Sequence, residues 1–567
     1  MVISAISLTG LNTLNLSTLN TCQQVFLYIL TILGNPLSIS VFVLYIRKKA
    51  FHKKFRDIND ATRPATPVQD STHDGVEGAQ IRTTDTPTDK RHPFAFRKFL
   101  SVLKSSLGRN SQFHDLSHED WNKLGSIEYK ALKMLLYLVP GYLILSQLLG
   151  IFILAPYMIY NKSDVALSNG VSPLWLGIFL SSSAFNNCGL SLLDLNMVPF
   201  STSFLILVSS SILALAGNLA FPIIFRGLLW SALKVLPANN RFEEWRETIT
   251  FMLQYPRRLY IYLFPSLHTW ILVAILILIN GLEGIAFHFL NKNNPALDTL
   301  PRHIQFLDAY FQTIVTRTAG FDVIPISSLR IGMQALYLAM MFVSAYPIVF
   351  AMRSSNVYEE RSLGIYANEL PPEKYEMFSS PDYGAEDTVI PHAPRTRAYY
   401  LQQEMRKQLG HDLWFPMTTA ILILWIETGS FDRDPTTFSA FNILFESVSA
   451  YAGVGLSTGL QDQAYSLCGE FHMASKLILC LAMLRGRHRG LPVAIDQAVQ
   501  LPQEVPGGME QQDHEIRTRF SLVDAMMESR PPISTRPSNQ SKEETVGTKT
   551  EESEKGGNNF MSGALDK

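Results

Sequence analysis

The chain has 567 residues, 47% of them hydrophobic, and a formal net charge of −1. With a mean hydropathy of +0.10 despite long polar stretches, the apolar residues must be concentrated in blocks, which argues against an ordinary soluble domain. The balanced charge, with Lys and Arg beside apolar runs, argues against nucleic acid as a partner. Four scattered cysteines, Cys22, Cys188, Cys468 and Cys480, form no CxxC pair, which argues against a disulfide framework or a structural zinc site.

At the N-terminus no basic region, apolar core and small-residue cleavage site follow one another, so no removable signal peptide is expected. Apolar runs of about 20 residues, enough to cross about 30 Å of hydrocarbon at about 1.5 Å per residue, then recur. Seven spans are expected, near 24–46, 131–158, 202–226, 267–288, 331–352, 413–427 and 466–484. Positive charge beside spans marks the cytoplasmic side: "RKKAFHKKFR" (47–56), Arg257 and Arg258, Arg353 and "RGRHRG" (485–490) belong inside. The opposite loops, 159–171, 289–304 and 428–438, carry few cations, and one holds the glycosylation sequon Asn161-Lys162-Ser163. Polar stretches at 57–126, about 367–400 and 491–567 read as disordered cytoplasmic tethers.

An internal repeat changes the reading. The strings "SLTGLNTLNL" (7–16), "NNCGLSLLDL" (186–195), "RTAGFDVIPI" (317–326) and "AGVGLSTGL" (452–460) each place a large apolar residue and then Asn, Ser or Asp after a glycine. Ahead of three of them lie helical segments too short to span, 172–185, 303–316 and 438–451, and after each glycine comes an extended stretch and then a span. Irregular backbone is tolerated at membrane depth only where it is buried in protein or lines a watery path. Four such turns about one axis would direct carbonyl oxygens into a shared pathway and replace a cation's water shell. Glycine suits the position because no Cβ blocks the approach of four strands.

Several charged residues fall near these turns. Arg317 and Glu446, three and nine residues before their glycines, are expected to pair with each other or with acceptors near the filter, most simply as a structural ion pair. Asp194 and Asp322, just beyond the filter strands, would concentrate cations at the mouth over about 10 Å. His472, Lys476 and Cys480 share a helix stripe, with Lys476 placed at membrane depth by its nine-residue separation from Arg485. No HExxH, GxSxG or Walker sequence is present, so no enzyme activity is expected.

The strings "SAFNNCGLSL", "TRTAGFD", "NVYEERSLGIY" (356–366), "FESVSAYAGVGLSTG" and "LRGRHRGLPVAIDQAVQLP" (484–502) resemble the Trk/Ktr/HKT superfamily of potassium transporters, most closely its fungal Trk branch. The resemblance implies an all-α membrane protein of repeated span, pore half-helix and span units around a pseudo-fourfold pore. The units would be 1–47, 127–230, 231–366 and 401–490, with a linker at 48–126, an insert at 367–400 and a tail at 491–567. Unit 1–47 would be incomplete, because only nine residues precede Gly10. The implied filter residues are Thr9, Gly10 and Leu11; Cys188, Gly189 and Leu190; Ala319, Gly320 and Phe321; and Val454, Gly455 and Leu456. By the same resemblance Lys476 would stand beneath the filter as the positive charge of the final helix, where it would tune rate and rectification.

The expected function is potassium import across the plasma membrane, driven by membrane potential, with potassium held only by backbone carbonyls and no cofactor. The lipid bilayer is the expected partner, and homo-oligomerisation is left open. The alternatives are a non-conducting remnant or scaffold of such a transporter, or a solute carrier built from inverted repeats.

Overall fold

The computed structural model describes residues 1–62, 118–237, 242–298, 300–343, 346–354, 397–460 and 463–489. Most of the expected linker, the insert up to 396 and the whole tail from 491 lie outside the described residues. The chain divides into Met1–Leu501 and Pro502–Lys567, and everything described belongs to the first unit. Among the described residues there are helices and turns but no strand.

Three half-length helices form where short apolar runs were expected: Pro173–Asn186, Arg302–Val315 and Ala440–Ala452. Each starts at a residue suited to a helix N-terminus. Pro173 occupies the first turn, Pro301 precedes Arg302, and the Ser439 hydroxyl accepts from the Asn442 amide at 3.3 Å. With 14, 14 and 13 residues they reach only about 20 Å, short of the hydrocarbon thickness. A five-residue helix, Val2–Ile6, precedes Gly10.

Two of the expected spans are broken. Thr21–Gly34 and Pro36–Ala50 meet at 57°, and Phe204–Gly217 and Phe221–Val235 meet at 84°. At the first break Pro36 lacks an amide hydrogen and pushes Asn35 out of the helical region, to φ −65 and ψ 131. At the second, Asn218 leaves it at φ −141 and ψ −92, and Pro222 opens the next helix. Among the described residues, three stretches can cross a membrane by length and composition, Ser126–Asn161, Ser266–Leu290 and Ile331–Val349, or five if each bent pair counts as one span. Asp412–Ile426 is a shorter apolar helix. The last expected span is shorter than the hydropathy suggested, since its helix runs only over Met473–Arg487.

Between helices in lipid there is no hydrophobic drive, so close packing holds them together. Gly177 shows this: a Cβ there would lie 2.5 Å from the Ala155 Cα. A second set of glycines seats the later helices on the glycine turns. Cβ atoms at Gly34, Gly217 and Gly486 would collide with the carbonyl oxygens of Ile6, Phe185 and Tyr451 respectively. Those three carbonyls all belong to the residue four places before Gly10, Gly189 or Gly455, so the first, second and fourth repeats dock their following helix backbone to backbone at one equivalent point.

Candidate functional site

The three turns that follow Val2–Ile6, Pro173–Asn186 and Ala440–Ala452 close in the same way. Leu8, Asn187 and Gly453 adopt left-handed φ values of 53, 56 and 69. The next amides, Thr9, Cys188 and Val454, donate back five residues to Ser4, Ser183 and Ser449 carbonyls at 2.8, 2.9 and 3.1 Å. This is a Schellman cap, which satisfies helix-end carbonyls and turns the chain away from the helix axis. The glycine that follows also has positive φ, 88 at Gly10, 76 at Gly189 and 90 at Gly455.

The third turn is different. Neither Thr318 nor Gly320 has positive φ; the Ala319 amide donates to Val315 at 2.9 Å, and the Phe321 amide donates to the Ala319 carbonyl at 2.5 Å. Glycine is demanded here by proximity alone, since a Cβ on Gly320 would sit 2.6 Å from the Val454 oxygen and 2.7 Å from the Gly455 carbonyl carbon.

The four glycines abut in chain order. A Cβ on Gly10 would strike the Cys188 oxygen, one on Gly189 would lie 2.6 Å from the Gly320 Cα, and one on Gly455 would strike the Thr9 oxygen. With the Gly320 contact on the fourth strand, the sequence returns to its start. The flanking Leu11, Leu190, Phe321 and Leu456 are buried in hydrophobic clusters. Side-chain bonds brace the strands from behind: the Ser183 hydroxyl donates to Leu190 O at 2.7 Å, the Gly455 amide to Ser449 Oγ at 3.0 Å, and the Ser466 hydroxyl to Asn12 Oδ1 at 2.7 Å, the last joining the first and fourth repeats.

Next to this ring lies a cavity of about 190 Å³. Each turn supplies to its wall the residues three and two places before its glycine: Ser7 and Leu8, Asn186 and Asn187, Arg317 and Thr318, Ala452 and Gly453. Two cations that the sequence reading used only to mark the cytoplasmic side, Arg487 and Arg489, line it as well.

The charged residues fall as follows. Lys476 does not line this cavity. It stands in the first turn of Met473–Arg487, partly exposed, ten residues before the Gly486 that abuts Tyr451, or about 15 Å along the helix. The expected position beneath the filter is therefore corrected: Arg487 occupies that end, donating to the Gly34 carbonyl. His472 precedes the helix, is exposed, and pairs through Nδ1 with the buried Glu427 at 2.7 Å. Arg317 does not pair with Glu446. It donates to Glu283 Oε2 at 2.5 Å and to Asn280 Oδ1 at 2.8 Å, while Glu446 accepts from the Cys468 amide at 3.1 Å.

Of the acids that follow the glycine turns, Asp194 accepts from the Ser17 hydroxyl at 2.6 Å, and the Asp322 carbonyl accepts from the Met197 amide at 3.2 Å. Farther out, Asp434 accepts from Thr436 and Thr437, which holds its carboxyl down to about 2. Asn161 is exposed at the end of His118–Asn161.

Arg489 anchors the chain after the final helix. It faces Asp412 Oδ2 at 3.7 Å and lies 4.4 Å from the Tyr451 ring centre, while the Tyr451 and Tyr346 hydroxyls donate to Asp412 at 2.9 and 3.1 Å. Removing one partner of a buried ion pair strands the other charge, at a cost of about 3–5 kcal/mol. Asp412→Leu is therefore expected to lower the unfolding temperature of the detergent-solubilised protein markedly; an unchanged melting curve would show that the pair contributes nothing.

The fold and its site define a multi-pass, all-helical membrane protein in which four glycine turns meet beside one cavity. The chain belongs to the TrkH family of cation transport proteins, whose model matches residues 94–506, and within it to the fungal Trk branch. It is 37% identical over 453 residues to potassium transport protein 1 of Schizosaccharomyces pombe, covering 79% of this chain and 50% of that protein. It is 36% identical over 402 residues to potassium transporter TRK1 of Candida albicans, covering 70% and 36%, and 34% identical over 431 residues to the low-affinity potassium transport protein of Saccharomyces cerevisiae, covering 73% and 48%. The chain thus spans about half or less of the length of these curated relatives. A solved structure, the potassium transporter TrkH of Vibrio parahaemolyticus, aligns at a TM-score of 0.40 with 13% identity, over 88% of this chain and 76% of that one.

Proposed function

We propose that this protein imports potassium across the plasma membrane through a filter made by its four glycine turns, arranged with pseudo-fourfold symmetry. The observation that carries the reading is the closed succession of backbone contacts from Gly10 to Gly189, Gly320, Gly455 and back to Thr9. Strands that approach this closely without side chains between them leave peptide oxygens as the available ligands for a dehydrated cation. The relatives are named potassium transport proteins, which supports potassium as the ion.

In this mechanism Asp194 and Asp322 concentrate cations at the outer mouth, the ion loses water against the carbonyls, and it passes into the cavity. Arg487 supplies a fixed positive charge there that shortens cation residence and hinders return. The inside-negative potential drives the step with about 2.3 kcal/mol per charge per 100 mV, so no chemical energy source is needed. The third turn contributes unequally, because the Ala319 carbonyl already accepts a bond from Phe321. The polar stretches and the basic ends of the spans face the cytoplasm, and Asn161 lies outside as a glycosylation acceptor.

The test is rubidium and potassium uptake by cells lacking their own potassium transporters. Expression of this chain should restore uptake that rises with a more negative membrane potential. A protein present at the surface in normal amount that moves neither ion would be a scaffold instead.

A further inference from the structure

The third filter turn lacks the device that fixes the other three. Positions two before the glycine are left-handed at Leu8, Asn187 and Gly453 but not at Thr318, and the five-residue back-bond seen at Thr9, Cys188 and Val454 is replaced at Ala319 by a four-residue one. A Schellman cap sets the direction in which a chain leaves its helix. Without it, the direction of the third strand has to be set by something else.

The residue three before the glycine shows what does so. Its counterparts are Ser7, which bonds within its own turn to Ile3 O and Thr9 Oγ1, Asn186, an amide, and Ala452, which has no polar group. At the third turn it is Arg317, only 4% exposed, and its guanidinium reaches across to Ser266–Leu290, where Glu283 is fully buried and Asn280 lies three residues earlier on the same face. A forked guanidinium held at two points fixes an orientation, which a single contact cannot do. Glu283 is otherwise hard to explain, since an ionised carboxylate in an apolar span is costly unless paired.

We infer that Glu283 is a positioning residue for ion selectivity: through Arg317 it acts as a strut that holds the third filter strand in place of the missing helix cap. The inference rests on the filter reading above. Gly320 lies against the second strand on one side and the fourth on the other, so a strand released from this strut changes the spacing of carbonyls in three of the four quadrants. Glu283 itself is fully buried and lines no part of the cavity, whereas Arg317 does.

The experiment measures the sodium-to-potassium uptake ratio of the full chain at matched surface abundance. Glu283→Gln and Arg317→Gln should each raise the ratio by about tenfold, in line with the coupling seen between residues of one buried network. The exchanged pair, Glu283→Arg with Arg317→Glu, should recover most of the selectivity. Single variants that lower abundance while leaving the ratio unchanged would make the pair a folding contact and overturn the inference. If Glu283→Gln fails to reach the surface, Glu283→Asp keeps the charge but shortens the strut by one methylene, and an unchanged ratio there overturns it equally. Gly320→Ala separates the two levels. If it alters the ratio while the Glu283 variants do not, only the strut is lost; if it too leaves the ratio unchanged, the filter reading itself falls.

Discussion

Gly455→Ala is expected to abolish selective potassium uptake. At φ +90 an L-residue is strained, at a cost of about 1–2 kcal/mol in the left-handed region. The added carbon would also collide with the Thr9 carbonyl, a backbone atom that cannot swing aside as a side chain could. Relief requires the first and fourth strands to separate, which removes two of the oxygens that would replace the ion's water. Gly227→Ala is the matched control. It lies within Phe221–Val235 with nothing inside 4 Å of its added carbon, so it should transport normally and gain about 0.5–1 kcal/mol of helix stability. Uptake by Gly455→Ala equal to that of the parent, at equal surface abundance, would sink the filter assignment.

Replacing Arg487 by Gln should be the second large effect, and its sign differs. Taking roughly 8 Å between the guanidinium and an ion in the cavity and an effective dielectric of about 20, the repulsion is about 2 kcal/mol, or roughly 30-fold in cation occupancy. Its removal should let cations dwell in the cavity and flow outward, so inward rectification weakens in whole-cell current–voltage curves. Arg487→Lys keeps the charge and should keep most of the rectification, although it loses the directed bond to Gly34 O. Lys476→Ala should change little, because that side chain stands a helix-length of about 15 Å from the cavity end. If Lys476→Ala removed rectification and Arg487→Gln did not, the assignment of the cavity charge would be reversed.

Much of this site could be read without coordinates, for local reasons. A helix of 13 or 14 residues that starts at Pro173, Pro301 or Ser439 and stops before a glycine is specified by its own termini. The repeated glycine strings are local too, and so is the cause of the 57° bend at Asn35-Pro36, a proline within an apolar run.

What the chain's order could not convey is how distant segments register against one another. Lys476 was assigned its depth by counting from Arg485 as though that residue marked the membrane face. Gly486 instead packs against the Tyr451 carbonyl at the end of Ala440–Ala452, so the whole helix is shifted outward relative to that count and Arg487 reaches the cavity. Arg317 and Glu446 looked like partners because each is a lone charge near a glycine turn. The actual partner, Glu283, is one acid in a long apolar span, and only the packing of Ser266–Leu290 on the third pore turn brings the two together.

The sequence by itself thus determined the four turns, the helix ends that lead into them and the residues too costly to bury alone, because capping, proline geometry and hydropathy act over a few neighbouring residues. Tertiary structure alone decided which charge faces the cavity, which acid meets Arg317 and how the four glycines succeed one another. Those outcomes depend on how segments tens to hundreds of residues apart approach one another, through side chains at Arg317 and Glu283 and backbone to backbone at the glycines, where a single Cβ changes the fit.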